Sequence, residues 1–209
     1  MSPIEINYAQ LNIQTLCPVF ITTLGALAVL IIDLFKTPTK TFNAMFSVAV
    51  VLFALYTLLG TPLNQVGFFG MITTDAPSII GQGIILVASA LFLPLSLTSQ
   101  RFHEYEYSEF FALFLFMVTG FQVMVSTDNI ILMFISLETA SLALYTLIAM
   151  HNRDRSIEAA IKYFTMGALA AGFFAFGGAI FYLATGSVHL TESYAALDGY
   201  GIRTYIALL

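Results

Sequence analysis

The stretch NIILMFISLETASLALYTLIAM, Asn129 to Met150, decides the fold. It carries one charged side chain, Glu138, near its middle. Some 20 residues at about 1.5 Å each reach roughly 30 Å, the thickness of a bilayer's hydrocarbon layer. Lipid offers the backbone no hydrogen-bond partners, so a spanning segment must be a helix or part of a closed barrel. A barrel strand would alternate apolar and polar residues. This stretch does not, so it reads as a transmembrane helix, and a carboxylate placed inside it demands a reason.

The same pattern repeats outward in both directions. The 209 residues are 59% hydrophobic and 9% charged, with a mean hydropathy of +0.90. A soluble domain is about 45–50% apolar and about 25% charged. Spans are expected over residues 13–35, 42–59, 77–97, 109–125, 129–150 and 157–184. Pro94 lies near the end of the third, where it is expected to kink or stop the helix. Residues 60–74, with Pro62, Asn64 and several glycines, read as a loop. A polar segment covers residues 185–203, and residues 204–209 begin another apolar run. The predicted fold class is all-α integral membrane: about six transmembrane helices plus the start of a seventh.

Basic residues set the orientation. Lys36, Lys40, Arg101, Arg153 and Arg155 fall in loops on one side, and only Arg203 on the other. The N-terminus is therefore expected to face away from the cytoplasm. The N-terminus also lacks the basic region and small-residue cleavage site of a secretory signal, so the first span is expected to be retained. The formal charge of −5 lies in short loops, and no basic tract points to nucleic acid. The single cysteine, Cys17, excludes an internal disulfide and a cysteine metal cage. His103, His151 and His189 fall in loops or at span ends, read as solvated side chains, and are not spaced for a metal site.

Four residues are candidates for chemistry. Glu138 sits roughly 15 Å deep, near the membrane midplane. Desolvation penalises a buried carboxylate's charged form, and a nearby lysine favours it. Between those influences Glu138 is placed to take and release a proton; the alternative is a structural carboxylate paired with a neighbouring helix. Glu158 and Lys162 stand at i and i+4 in the first turns of the sixth span, on one face and in the favourable order. Ser156 is expected to cap that helix, leaving Glu158 at the positive end of its dipole. Lys162 either snorkels to the surface or faces a wet cavity. Glu109 opens the fourth span, as an interfacially solvated acid or a point of proton entry. Asp75 and Asp128 read as helix-start residues. Small residues four apart in the sixth span, Gly167/Ala171 and Ala168/Gly172, let helices approach closely and predict that this span is buried among others.

These residues carry a family resemblance. The run from Asp128 through Glu138 to Tyr145 resembles the fifth helix of the antiporter-like membrane subunits of respiratory complex I. RSIEAAIKYFTMGAL, from Arg155 to Leu169, resembles the sixth helix of subunit N, and the run from Tyr182 to Ser187 suits the same pattern. The paralogous subunits L and M usually place a tryptophan before the glutamate; Leu137 stands there in this chain. The match is best over residues 109–187. Residues 1–107 match mainly in span pattern and would form helices one to three, with residues 108–209 opening the antiporter-like module.

The resemblance implies a proton-translocating subunit of a bacterial inner-membrane NADH–quinone oxidoreductase, in which quinone reduction elsewhere shifts buried charges. It implies that Glu138 is the fifth-helix glutamate, Glu158 and Lys162 the sixth-helix pair, and Glu109 the fourth-helix acid. It further implies that flavin, iron–sulfur clusters and quinone belong to other subunits, that this chain holds no cofactor, and that its partners are other membrane subunits and lipid. The family's lysine on a broken seventh helix has no counterpart in these 209 residues, so an N-terminal fragment is expected. Two other readings stay open: a subunit of a cation/proton antiporter, and an assembly scaffold whose ionisable residues only hold helices together.

Overall fold

The computed structural model describes residues 11–35, 40–98 and 109–192. The expected seventh-span start, Lys36, Arg101, His103 and Arg203 lie outside these residues. A short 3₁₀ turn, Ile13–Leu16, leads into α1, Cys17–Phe35. There follow α2 (Lys40–Leu59), a small antiparallel hairpin of β1 (Val66–Gly67) and β2 (Ile72–Thr73), α3 (Ala76–Thr98), α4 (Glu109–Val125), α5 (Ile130–Ala149) and α6 (Asp154–Thr185). Five of the six helices have at least 18 residues and enough hydropathy to cross a membrane, and α4 is shorter and apolar. At about 1.5 Å per residue, α4's 17 residues cover roughly 26 Å, still close to the hydrocarbon thickness.

Polarity is distributed as lipid demands. Leu34, Phe53, Leu91 and Leu95 face outward, while Asn43, Ser47, Gln82 and Gln122 are buried. α4 lies at the centre, packed against α1, α3 and α5. Phe111, Leu115 and Val118 of α4 join Ala26 and Val29 of α1 and Leu86 and Leu93 of α3 in one core. A polar knot pins α1 to α4: Thr119 donates to Thr22 at 2.9 Å, and Thr22 to the Gln122 amide oxygen at 2.7 Å. Between α4 and α5 the backbones nearly touch. A Cβ on Gly120 would lie 2.7 Å from the Ser136 carbonyl oxygen and 2.8 Å from the Ala140 nitrogen.

Local chemistry explains most boundaries. Asn129 caps α5, its side-chain oxygen accepting from the Ile131 and Leu132 amides. Asp75 accepts from the Ser78 amide at 3.2 Å, as expected of a helix-start acid. Gly186 ends α6 with a φ of 72°, a left-handed geometry that costs glycine little. The hairpin turn contains Gly70 at φ 91°. The Thr73 amide donates to the Ser126 carbonyl at 2.8 Å and the Thr127 hydroxyl to the Met71 carbonyl at 2.7 Å, which ties the hairpin to the α4–α5 connection.

Three expectations need correction. Pro94 lies near the end of α3, as expected, but does not stop it, since the helix runs on to Thr98. α6 starts at Asp154, three residues before the expected position, with Arg153 rather than Ser156 as N-cap. Asp154 is then the first-turn acid, and Glu158 sits in the second turn, away from the helix end. α6 is also not enclosed by the described residues. It packs along α5 and leaves its other faces open, Leu183 being 83% exposed. The small residues divide accordingly: a Cβ on Gly167 or Gly178 would meet α5 side chains, whereas Gly172 and Gly177 have open space beside them.

Candidate functional site

α5 and α6 run antiparallel, and aromatic contacts give their register. Phe134 stacks on Phe174 at 5.8 Å between ring centroids. About three turns further along α5, Tyr145 meets Tyr163 edge-on at 4.9 Å and Phe164 at 5.6 Å. Glu138 lies between these contacts. It follows Phe134 by four residues and precedes Tyr145 by seven, which places all three on one stripe of the helix. The register brings Glu138 level with Ala170 and Ala171, where α6 has only small side chains. From Ile130 to Glu138 is about 12 Å and from Glu138 to Ala149 about 16 Å, so the carboxylate is near mid-membrane. It is half-buried. Among the described residues it has no hydrogen-bond or ion-pair partner.

The other three candidates gather at one end of the bundle, where α4 and α6 begin. Lys162 and Glu158 form the predicted i,i+4 ion pair at 2.5 Å, with side chains 73% and 63% exposed. Glu109 is exposed at the start of α4 and opens onto a cavity of about 590 Å³ lined also by Leu30, Leu113, Phe116, Thr146 and Asn152. No hydrogen bond or ion pair joins Glu138 to Glu109, Glu158 or Lys162. The structure thus brings one pair together and leaves Glu138 separate, roughly 12–18 Å along the bundle axis from Lys162 and Glu158. No cluster of three or more metal-ligating His, Cys, Asp or Glu side chains occurs among the described residues.

At the opposite end sits a feature that the sequence reading missed. His189, just past α6, contacts Asp128 through Nδ1 at 3.0 Å, and the Thr191 hydroxyl donates to the other Asp128 oxygen at 2.5 Å. Backbone bonds run from Ile130 N to Val188 O at 2.9 Å and from Leu190 N to Asp128 O at 3.0 Å. His189 is therefore not a solvated side chain, and Asp128 is not the α5 cap, a role that falls to Asn129. Together they latch the start of α5 to the end of α6. Burial pushes the Asp128 carboxyl up, but the Thr191 hydroxyl, the His189 hydrogen bond and the His189 charge outweigh it, holding the pKa below the usual value. No short-range sequence signal marks this latch, because its partners are 61 residues apart.

Comparison with known proteins bears out the resemblance to subunit N. The family model described as "NADH:quinone oxidoreductase/Mrp antiporter, TM" matches residues 127–208. NADH-quinone oxidoreductase subunit N of Sulfurimonas denitrificans is 54% identical over 92% of this chain and 40% of that protein. The subunit N of Campylobacter concisus is 42% identical over 98% of this chain and 42% of that protein. A chain of respiratory complex I from Thermus thermophilus superposes with a TM-score of 0.69 at 32% identity, covering 83% of this chain and 38% of its own. An archaeal membrane-bound sulfane sulfur reductase shares the fold alone, at 20% identity and a TM-score of 0.68 over 86% of this chain and 39% of its own. This chain spans about two fifths of the length of the curated relatives it matches.

Proposed function

We propose that this chain, a multi-pass membrane protein resembling subunit N over nine tenths of its length, is part of a proton-translocating subunit of an NADH–quinone oxidoreductase. The observation that carries the reading is Glu138: a half-buried carboxylate at mid-membrane with no partner among the described residues. An ionisable side chain inside a span is costly to keep and marks a path for protons or ions through the apolar layer. Glu109, beside its cavity, serves as an entry point. The Glu158–Lys162 pair exchanges charge at the same end of the bundle. Residues 1–107 form the N-terminal transmembrane helices one to three, and residues 108–209 open the translocating module.

The protein lies in a bacterial inner membrane with its N-terminus on the periplasmic side. Lys40, Arg153 and Arg155 support that orientation, since they cluster at the helix ends opposite the Asp128 latch. Its partners are lipid and other membrane subunits of the complex, and the open faces of α6 suit contact with further helices. Flavin, iron–sulfur clusters and the quinone site belong to other subunits. A second reading, a subunit of a cation/proton antiporter, is favoured by one observation: the matching family spans both kinds of protein. Copurification decides between them. Recovery with flavin- and iron–sulfur-containing subunits supports the oxidoreductase, and sodium-dependent proton exchange in their absence supports the antiporter.

A further inference from the structure

Tyr145 is a buried titratable group with no part in the charge chemistry above. Its side chain is 9% exposed and held edge-on by Tyr163 and Phe164. Its hydroxyl packs against α6 at Gly167: a Cβ there would lie 1.7 Å from Tyr145 Oη. The hydroxyl has no hydrogen-bond partner among the described residues, and it is not one of the fully enclosed polar atoms, so it stays within reach of a polar group from outside the α5–α6 contact. A phenol hydroxyl taken into an apolar setting without a partner costs free energy, so water or another polar group is expected to meet it. Tyr145 shares the stripe of Glu138, about 10 Å nearer the end of the bundle where Glu158 and Lys162 pair. Tyr163, against which it rests, is next in sequence to Lys162.

We propose that the Tyr145 hydroxyl relays protons between the Glu158–Lys162 end of the bundle and Glu138. The inference rests on the proton-translocating reading and adds a residue to it. In each transfer Oη accepts a proton from a water on the Lys162 side as its own proton passes to a water on the Glu138 side. One O–H bond forms, one breaks, and the phenol is returned neutral after rotation about its C–O bond. Gly167 is then a positioning residue, because any larger side chain displaces the hydroxyl while the ring stays wedged between Tyr163 and Phe164.

The test uses the whole assembled enzyme in its membrane, comparing wild type with Tyr145→Phe, Gly167→Ala, the double variant and Glu138→Gln. Tyr145→Phe keeps the ring and removes only the hydroxyl. It is expected to assemble normally and to slow proton translocation about two- to tenfold, the factor that matches one hydrogen bond of roughly 0.5–1.5 kcal/mol. The solvent deuterium isotope effect on translocation is expected to rise. Gly167→Ala is expected to slow translocation similarly, and the double variant no further than either single one. Wild-type translocation and isotope effect in Tyr145→Phe, with Glu138→Gln impaired, overturn the relay and leave the translocation reading standing. Failure of Tyr145→Phe to assemble also overturns the relay, since the hydroxyl is then structural. Unimpaired translocation in Glu138→Gln removes both.

Discussion

Gly120 is where α4 and α5 come closest, and replacing it with alanine gives a prediction with a calculable size. The new Cβ would lie 2.7 Å from the Ser136 carbonyl oxygen, 2.8 Å from the Ala140 nitrogen and 2.9 Å from the Ala140 Cβ. None of these is the end of a flexible side chain, so no rotamer change relieves them. Restoring an ordinary contact at 3.4 Å requires the helices to separate by about 0.7 Å at the tightest point. Overpacking of this kind costs about 1–3 kcal/mol. Alanine's better helix propensity returns about 1 kcal/mol. Because the clash is with backbone, the upper half of the range applies, and the net loss is about 1–2 kcal/mol. The thermal midpoint of the purified protein is expected to fall by about 2–8 °C. Ser136 and Ala140 flank Glu138, so the same displacement is expected to slow proton translocation. An unchanged or raised midpoint would refute the close packing of α4 on α5.

Further outcomes follow from the two ends of the bundle. Asp128→Asn weakens the latch, and deuterium exchange over residues 186–192 is expected to quicken about two- to tenfold at neutral pH, for a loss of roughly 0.5–1.5 kcal/mol. In the wild type the Asp128 pKa is lowered on folding, so its stabilisation is present above the ordinary carboxylate range and is lost as pH falls through the folded value, below 3.8; protection that holds undiminished as the pH is lowered well below that value would contradict this. Lys162→Met removes a solvent-exposed helix pair worth only about 0.3–0.5 kcal/mol. The thermal midpoint should hardly move while translocation falls by about tenfold or more. A fall in the midpoint with normal translocation would make the pair structural.

Much of the fold was legible because lipid imposes a simple rule. Five apolar runs of spanning length became helices within a few residues of their expected limits, and the fourth did so at 17 residues. Helix ends were read less well. α6 begins at Asp154, not Ile157: Arg153 is extended without a side-chain cap, and Asp154 places an acid in the first turn, where the helix dipole favours it. Pro94 did not end its helix, although it stands on an exposed face four residues before the last residue, Thr98. At the site, the Glu158–Lys162 pair followed from i,i+4 geometry alone. The Asp128–His189 latch and the Tyr145–Gly167 fit did not, because each depends on how α5 and α6 lie against one another. Local periodicity specifies which face a residue occupies but not which residue meets it across an interface. The surroundings of Glu138 were only half legible, since its expected lysine partner has no counterpart among these residues.

The most direct measurement is proton translocation by the assembled complex carrying Glu138→Gln in sealed, inverted membrane vesicles. Glutamine keeps the shape of the side chain and removes its ability to ionise, so assembly serves as the internal control. Normal assembly with a reduced number of protons moved per NADH oxidised is the predicted result. Normal assembly with full proton movement would contradict a proton-carrying role for Glu138.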